Sequence, residues 1–389
     1  MIHKDLKPQN VLLKKSEVSE YGVVAVIADF GLSSEIQEGE TGVTGTTGTG
    51  TRGWLAREYL QSAAAGSHHH YRNKFQQHRA AAGPDHRLRY RKSGDIFSFG
   101  CLAQYVLSSS KYERYTHPFG LGIERERNIL HGRRVSFLTY KFIYQDGKER
   151  SDHEILGDIL IDWCVNSDHS ARPTAEQLSK NPLFWTYTTK IYFIEKIFND
   201  FKDKFETTPE IKELEENWRK YHPEPFTAKI PEAWGYHEFC RKRNKASKPS
   251  GKSPFNALMR NIRNIRQHCT EARTVYTVEH PHPDGQGPGS TLAEVLGSGS
   301  DEDIGRYFLQ RIPVLVPVLY LTFYDHAKQR ATFQEYYKNT VEDGSVVGGA
   351  WETLDRILTD KPRSRTPSKS PSAKFKQESG SRSSSSSKH

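Results

Sequence analysis

The sequence predicts a mainly α-helical chain, in which two helical modules follow one another and a basic tail comes last. Short apolar segments of strand type occur near the N-terminus, as at residues 23–28. Apolar residues at helical spacing dominate later parts, notably residues 93–107, 191–205 and 211–221. From about residue 361 the chain is rich in Ser, Lys and Arg, a composition that is typical of disordered segments.

Changes in composition divide the chain further. We expect a first module at residues 1–185, interrupted by an insertion at about 61–92 that is rich in Ala, Gly, His and Arg. Its His tract at residues 68–70 could bind metal, but a solvated surface insertion is the simpler interpretation. A second module follows at residues 186–339, with a Pro- and Gly-rich loop at about 280–300, and residues 340–389 are predicted to be linker and tail.

The net charge of +9 is unevenly distributed, which limits what it says about partners. Residues 361–389 hold five Lys and three Arg against one Glu, so they account for seven of the nine charges. The body of the chain is nearly neutral, and an RNA contact would therefore need a local basic patch rather than a global field. Binding to DNA is not predicted.

Cysteine usage and hydropathy exclude two other classes. The four cysteines are widely spaced and form no C-x-x-C pair, which disfavours a zinc site and a secreted disulfide framework. The most apolar stretch, residues 312–323, is shorter than the roughly 20 residues of a membrane span and contains two prolines. No membrane span and no signal peptide are predicted in this chain.

The first module carries two ordered motifs that point to phosphoryl transfer. Residues 3–10 read HKDLKPQN and fit the kinase catalytic loop H-R-D-L-x-x-x-N, with Lys4 in place of Arg. Residues 29–31 read DFG and follow an apolar strand. In such a loop Asp5 takes the proton of the acceptor hydroxyl, and Lys7 neutralises charge on the phosphoryl group. Asn10 and Asp29 would hold Mg²⁺ against the phosphates of ATP.

Further kinase features follow in order. Glu58 stands where an A-P-E motif would place its Glu, and Arg172 is predicted to pair with it. Asp95 lies in the apolar stretch 93–107 and is expected to brace the backbone of the catalytic loop. A Gly-rich loop and the strand Lys of a complete kinase do not occur before residue 3, so we expect a kinase C-lobe whose N-lobe is absent from this chain. Such a lobe alone should bind ATP weakly and should not autophosphorylate.

Together, residues 117–120 (HPFG), 128–132 (NILHG) and 181–185 (NPLFW) narrow the resemblance. They resemble the kinase C-lobe of the inositol-requiring sensor kinase–endoribonucleases of the unfolded protein response, to which ribonuclease L is related. The resemblance implies an all-helical kinase-extension nuclease domain at residues 186–339. It also implies a homodimer or higher oligomer, a stem-loop RNA substrate, and a place on the cytosolic side of the endoplasmic reticulum membrane if further N-terminal sequence carries a span.

Residues 255–269 carry the nuclease prediction. The apolar residues of this segment fall within an arc of roughly 120° on a helix, opposite a polar arc. The resemblance assigns Arg263, Asn264 and His268 on the polar side to a metal-independent nuclease site. In it a 2′-hydroxyl attacks the neighbouring phosphorus, His268 acts as general acid, Arg263 stabilises phosphorane charge, and Asn264 positions the phosphate or base. Judged on this helix alone, a solvated basic face would be the better interpretation, but its position after residues 181–185 makes the nuclease site the better one.

One departure from the family pattern keeps a second hypothesis open. The family supplies a Tyr shortly before this helix as general base, whereas no Tyr occurs between Tyr236 and Tyr276. A Lys from residues 240–249 could bind phosphate but is a poor base when charged. The alternative is therefore a catalytically inactive interaction module of the same family. A basic RNA-binding protein without catalysis is a third, weaker hypothesis because the body is nearly neutral.

Overall fold

The computed structural model describes nine main segments of the 389-residue chain. They are residues 1–66, 88–112, 116–138, 151–201, 208–221, 254–269, 296–327, 334–337 and 346–359. Within the first segment, residues 20, 41 and 46–48 are not described. Five residues outside these segments are described as well: 229, 230, 233, 235 and 237. The predicted metal-binding alternative at residues 68–70 and the stretch 240–249, in which a replacement base was considered, lie outside the described residues, as does the tail from residue 361.

The N-terminal part contains two small antiparallel sheets. Strands β1 (Val11–Lys15) and β2 (Val23–Ile27) form a hairpin in which Val11 pairs with Ile27. The prediction of a buried strand at residues 23–28 is wrong, because all five residues of β2 are exposed, Ile27 to 48%. Val and Ile favour the strand conformation of β2 because their side chains are β-branched. Within the described residues, however, no second layer of structure covers the hairpin.

The second sheet joins a strand that precedes the predicted insertion to a strand at the end of that insertion. Strand β3 (Gly42–Gly45) pairs with β4 (Leu88–Arg91), and Gly42 is opposite Arg91. Helix α1 (Arg57–Gly66) precedes β4 in the chain. The expected insertion at 61–92 is thus too long at both ends: its first residues continue α1, and its last residues are held by the ladder to β3. Residues 67–87 lie outside the described part.

Helices build the rest of the first module. They are α2 (Lys92–Tyr112), α3 (Gly122–Leu130), α4 (Asp152–Cys164) and α5 (Ala175–Ser179). Helix α2 confirms the buried helix expected at residues 93–107, since Phe97 and Cys101 are at most 1% exposed. Helix α4 begins with a capping box in which Ser151 accepts from the Glu154 N–H and Glu154 accepts from the Ser151 N–H.

The second module is helical in its described residues. It comprises α6 (Tyr187–Phe201), α7 (Pro209–Tyr221), α8 (Pro254–Gln267), α9 (Asp301–Arg311), α10 (Leu315–Ala327) and α11 (Gln334–Tyr337). Ser300 caps α9 by accepting from the Asp303 N–H. Among the described residues no single helix is long and apolar enough to cross a membrane. Helices α9 and α10 pass such a test as a pair, but they meet at 93° and their apolar residues are core residues.

One hydrophobic core runs through both modules instead of two separate ones. It extends without interruption from Ile2 through the α4 residue Leu160 to Phe308 and Leu319. A buried ion pair crosses the same boundary: Lys190 Nζ in α6 lies 2.6 Å from Asp152 Oδ2 at the start of α4, and the two side chains are 0% and 1% exposed. The sequence boundary at residue 185 therefore lies at a packed interface, not at a flexible linker.

The chain has a further helix where a linker was predicted. Helix α12 (Val346–Thr359) packs against α4 and α10, and Leu354 is completely buried. The Gly and Ser residues of this region favour a linker, whereas the spacing of its apolar residues Ala350, Leu354 and Ile357 is that of a helix. Three- and four-residue spacing places such side chains on one helical face, which is sufficient to form a helix once a partner surface is present.

Candidate functional site

The kinase-like loop is braced by buried hydrogen bonds. The backbone N–H groups of His3 and Lys4 donate to the two carboxylate oxygens of Asp95 at 2.6 and 2.9 Å. This confirms the expected bracing by Asp95, which lies in the first turn of α2. Burial raises the pKa of Asp95, and the backbone donors offset part of that rise. Lys4 itself has φ 72°, a left-handed conformation that is uncommon for non-glycine residues, and the Asp95 bonds fix it.

Asp5, the predicted proton acceptor, is held by hydrogen bonds from Lys7 and Thr51. Its Oδ2 accepts from Lys7 Nζ at 2.7 Å, and its Oδ1 accepts from the Thr51 N–H at 2.7 Å. Lys7 also donates to Thr51 Oγ1 at 2.7 Å, so loop and downstream segment are tied together. Burial alone would raise the pKa of Asp5, but the hydrogen bonds from Lys7 and Thr51 outweigh it and hold the pKa below its ordinary value. The carboxylate is thus kept ionised.

Asn10 and Asp29, the predicted magnesium ligands, are brought close by the hairpin. Asn10 Nδ2 donates to the Asp5 carbonyl at 2.8 Å, which directs the amide nitrogen into the loop and leaves its oxygen for a cation. The Ala28 N–H donates to the Asn10 carbonyl at 2.9 Å, so Asp29 follows directly beside Asn10. Asp29 is exposed and has φ 62°. An amide oxygen and a carboxylate are ligand types that Mg²⁺ prefers, so the residues fit that ion.

The predicted pair between Glu58 and Arg172 is confirmed as a bidentate contact. Arg172 Nη1 and Nη2 donate to the two Glu58 oxygens at 2.8 and 2.9 Å, and the Arg172 side chain is fully buried. Its guanidinium also lies over the Phe97 ring at 5.1 Å. Planar bidentate pairing explains the choice of Arg, since Lys could make only one of these bonds at a time.

The predicted nuclease helix is α8, and its two faces are as the spacing indicated. The apolar residues Phe255, Leu258, Met259, Ile262 and Ile265 are at most 1% exposed. Arg260, Gln267 and His268 are exposed, while Arg263 and Asn264 are half-buried. The packing comes from neighbouring helices: α8 contacts α6 and α9, and Phe255 meets the Trp218 ring of α7 at 5.2 Å. The helix therefore has the predicted core face and an accessible polar face.

Arg263 and Asn264 are in direct contact on that polar face. Arg263 Nη1 donates to Asn264 Oδ1 at 3.1 Å. Within the described residues Arg263 has no carboxylate partner, and its Nε is buried without a hydrogen-bond acceptor. His268 follows on the next turn, where its N–H donates to the Asn264 carbonyl at 3.0 Å and so continues the helical pattern. Asn264 and His268 are one helical turn apart, and Arg263, which contacts Asn264, has no described anionic partner, so this face is suited to a phosphate group.

A neighbouring arginine has the opposite environment, which the sequence analysis missed. Arg266 is bonded to Glu195 of α6 and lies 3.0 Å from Asp301 of α9, while Gln267 Nε2 donates to Glu195 Oε1 at 2.8 Å. The Arg266 guanidinium also covers the Tyr192 ring at 4.2 Å. Arg266 is thus neutralised and anchors the last turn of α8, next to His268. No spacing rule links residues 195 and 301 to this helix, so sequence reasoning had no signal for it.

Asn261 is a second residue that the sequence did not single out. It is 1% exposed, and its Nδ2 donates to the Ala233 carbonyl at 2.9 Å. The contact fixes α8 on a segment that is about thirty residues earlier in the chain. Its role is structural, because a buried amide needs such a partner.

Comparison with known proteins adds evidence that the geometry cannot provide. The protein kinase domain family matches residues 1–74. The chain is similar to the serine/threonine-protein kinase/endoribonuclease ire-1 of Caenorhabditis elegans, with 27% identity over 345 residues, 88% of the chain and 29% of the relative. The sensor for unfolded proteins in the ER ire1 of Schizosaccharomyces pombe is 26% identical over 86% of the chain and 28% of the relative. The rice kinase/endoribonuclease IRE1 is 28% identical over 87% of the chain and 30% of the relative.

These similarities cover both modules, because they extend over more than four fifths of the chain. The chain spans less than a third of the length of each of these relatives. Together with the braced catalytic loop and the ordered kinase motifs, they confirm the resemblance of the chain to the inositol-requiring (IRE1) family of serine/threonine-protein kinase/endoribonucleases.

Proposed function

We propose that the second module is an endoribonuclease whose active site is the polar face of α8. The observation that carries the proposal is the contrast between two arginines one turn apart. Arg266 is neutralised by Glu195 and Asp301, whereas Arg263 has no carboxylate partner among the described residues. A guanidinium without a described protein anion, in contact with Asn264 one turn before the exposed His268, favours binding of an RNA phosphate.

The reaction that fits these residues requires no metal ion. The 2′-hydroxyl of a ribose attacks the phosphorus on its own 3′-oxygen and loses its proton to a solvent water, and the bond to the 5′-oxygen of the next nucleotide breaks. His268 delivers a proton to that leaving oxygen, so the products are a 2′,3′-cyclic phosphate and a 5′-hydroxyl. Arg263 stabilises the charge of the phosphorane, and Asn264, held by Arg263 at 3.1 Å, orients the phosphate or base.

The first module is proposed to act as a nucleotide-gated platform for dimer formation. Asp5 and Lys7 would contact the transferring phosphoryl group, and Asn10 and Asp29 would hold Mg²⁺ with ATP. Magnesium supplies neutralisation of phosphate charge when it is bound. Phosphoryl transfer by this chain alone is not proposed, since the apolar face of β1 and β2 is exposed and no described layer covers the nucleotide side.

A homodimer or higher oligomer, a stem-loop RNA and the cytosolic side of the endoplasmic reticulum membrane complete the proposal. They are supported by the family and by the names of relatives, which include an endoplasmic reticulum sensor for unfolded proteins. The alternative is an inactive interaction module, and the observation that favours it is the lack of a Tyr between residues 236 and 276.

The test is cleavage of a stem-loop RNA by the purified chain in EDTA, with the ends of the products identified by mass spectrometry. We expect cyclic phosphate ends and a reaction that His268→Ala slows by roughly a hundredfold to ten-thousandfold. Gln267→Ala is the matched control on the same exposed turn and should retain most activity. Cleavage by His268→Ala at the wild-type rate would refute the site, and cleavage that stops in EDTA would refute the mechanism.

If the wild type does not cleave at any concentration, the inactive-module alternative is favoured. A Tyr introduced at Ser247 or at Lys245 then tests whether the missing base is the cause. Cleavage gained by such a variant and lost again with His268→Ala would show that the rest of the site is competent. No gain in either variant would leave the interaction module as the better description.

A further inference from the structure

The last helix of the described chain, α12, has two different contact faces. It follows the predicted end of the nuclease module at residue 339 and belongs to neither predicted module. Leu354 and Ile357 are 0% and 5% exposed and point into the common core, whereas Glu352 is exposed. A helix that was only a solvated tail would not bury residues at this spacing.

One face of α12 binds the kinase lobe through Asp162 of α4. Thr353 Oγ1 donates to Asp162 Oδ2 at 2.7 Å, and Arg356 Nη1 lies 3.1 Å from the same oxygen. Within the lobe, Arg134 donates to the other carboxylate oxygen, Asp162 Oδ1, at 2.8 Å and so holds the Asp162 side chain in place. The guanidinium groups of Arg134 and Arg356 lie 4.2 and 5.3 Å from the centre of the Phe137 ring. The lobe thus contributes a carboxylate and an aromatic ring.

The other face of α12 binds the second module through α7. Asp355 accepts a hydrogen bond from the Tyr221 hydroxyl and lies 2.5 Å from Lys220 Nζ. Burial alone would raise the pKa of Asp355, but the bonds from Lys220 and Tyr221 hold it below its ordinary value. The Trp351 ring lies parallel to the Tyr221 ring, with centroids 6.1 Å apart and an angle of 9°. Burial and the Asp355 carboxylate raise the pKa of Tyr221, so the hydroxyl remains a donor.

Helical spacing keeps these two contact sets on separate sides. Thr353 and Arg356 are three residues apart and share the lobe-facing side, while Trp351 and Asp355 are four apart and share the other. Ala350 lines a small cavity together with Trp163 of α4 and Tyr320 of α10. A single short helix therefore contacts both modules across their boundary.

We propose that α12 is an intramolecular clamp that fixes the kinase lobe relative to the nuclease module. Because the two contact sets share one helix, loosening either set loosens the other. Any movement of the lobe against the module requires α12 to leave one of its two acceptors. The clamp acts together with the common core and the buried Lys190–Asp152 pair in holding the two modules in one relative orientation. This holds whether or not the second module cleaves RNA.

The test is hydrogen–deuterium exchange of the full chain, read by mass spectrometry. Asp162→Asn removes the negative charge and one of the two acceptor oxygens on the lobe side, and we expect exchange to rise at least about fivefold in α7, on the module side. Asp355→Asn on the module side should raise exchange by a similar factor at residues 133–138 in the lobe. Thr353→Val, which removes one hydroxyl, is the milder variant if Asp162→Asn does not fold.

Two controls separate the clamp from general destabilisation. Glu58→Gln weakens the lobe at the Arg172 pair, a contact in which no residue of α12 takes part, and should leave exchange in α7 unchanged. Glu352→Ala changes an exposed residue of α12 and should alter neither side. If Asp162→Asn raises exchange in the lobe and α12 but leaves α7 at the wild-type rate, the clamp is wrong and α12 is a lobe element. If Glu58→Gln raises exchange in α7 as much, the coupling does not pass through α12.

Discussion

Breaking the ion pair between Lys190 and Asp152 should destabilise the protein strongly. The two groups are 0% and 1% exposed, their charged atoms are 2.6 Å apart, and Asp152 Oδ1 is buried with no hydrogen-bond partner in the described structure. Lys190→Met keeps most of the side-chain volume but leaves an uncompensated carboxylate in the core. Loss of one member of such a pair costs about 3–5 kcal/mol of the free energy of unfolding.

Removing both charges should be far less harmful. In Lys190→Met/Asp152→Leu no buried charge remains, so the direct loss is close to zero. Asp152 lies in the first turn of α4, and losing its interaction with the helix dipole costs about 0.3–1 kcal/mol. We therefore expect the double variant to be within about 1 kcal/mol of wild type, although Lys190→Met alone is several kcal/mol less stable.

Urea denaturation followed by far-UV circular dichroism measures these differences. Arg219→Met is the matched control, since Arg219 is 71% exposed and pairs with Glu215 at 3.5 Å within α7. An exposed pair of this kind contributes about 0.5 kcal/mol or less. A Lys190→Met variant that loses under 1 kcal/mol would refute the assignment of a desolvated pair. A double variant as unstable as the single one would show that the cost comes from packing and not from the unpaired charge.

Three further predictions concern the core, pH and assembly. Ile262→Ala, in the buried face of α8, should cost about 2–5 kcal/mol in the same urea assay, whereas Arg263→Ala on the polar face should change stability little and abolish most RNA cleavage. Burial, with a smaller effect of Arg125, lowers the pKa of His117 to about 3, so the unfolded chain binds a proton below pH 6.5 that the folded chain does not. His117 should therefore lower the stability by about 1.4 kcal/mol per pH unit as the pH falls below 6.5. His117→Gln should remove this contribution in urea titrations at pH 7 and pH 5, leaving that of His153, whose pKa burial also lowers. If dimers form the competent nuclease, cleavage should rise more than linearly with protein concentration, and a constant specific rate in dilute monomer would argue against that requirement.

Local sequence patterns determined much of the kinase-like site. The HKDLKPQN and DFG segments each contain their functional residues within a few positions, so short-range geometry is sufficient to orient them once the loop is braced. The Asp95 and Glu58–Arg172 contacts were also predicted, because motif order in the chain indicates which distant residues meet. The apolar and polar faces of α8 followed from helical spacing alone, since a period of 3.6 residues decides which side chains share a face.

Only the tertiary structure decided which strand is exposed, which arginine is paired with carboxylates, and that α12 forms a helix. Burial of a strand depends on a covering layer, so apolar β2 is exposed despite its composition. Whether the charge of an arginine is neutralised depends on which carboxylates lie near it. Glu195 and Asp301 pair with Arg266, whereas no carboxylate of the described residues pairs with Arg263. Helix α12 is stabilised by partners almost two hundred residues away, as the Thr353 to Asp162 bond illustrates. A sequence specifies local periodicity directly, whereas these pairings depend on how the whole chain packs and are fixed only when the core forms.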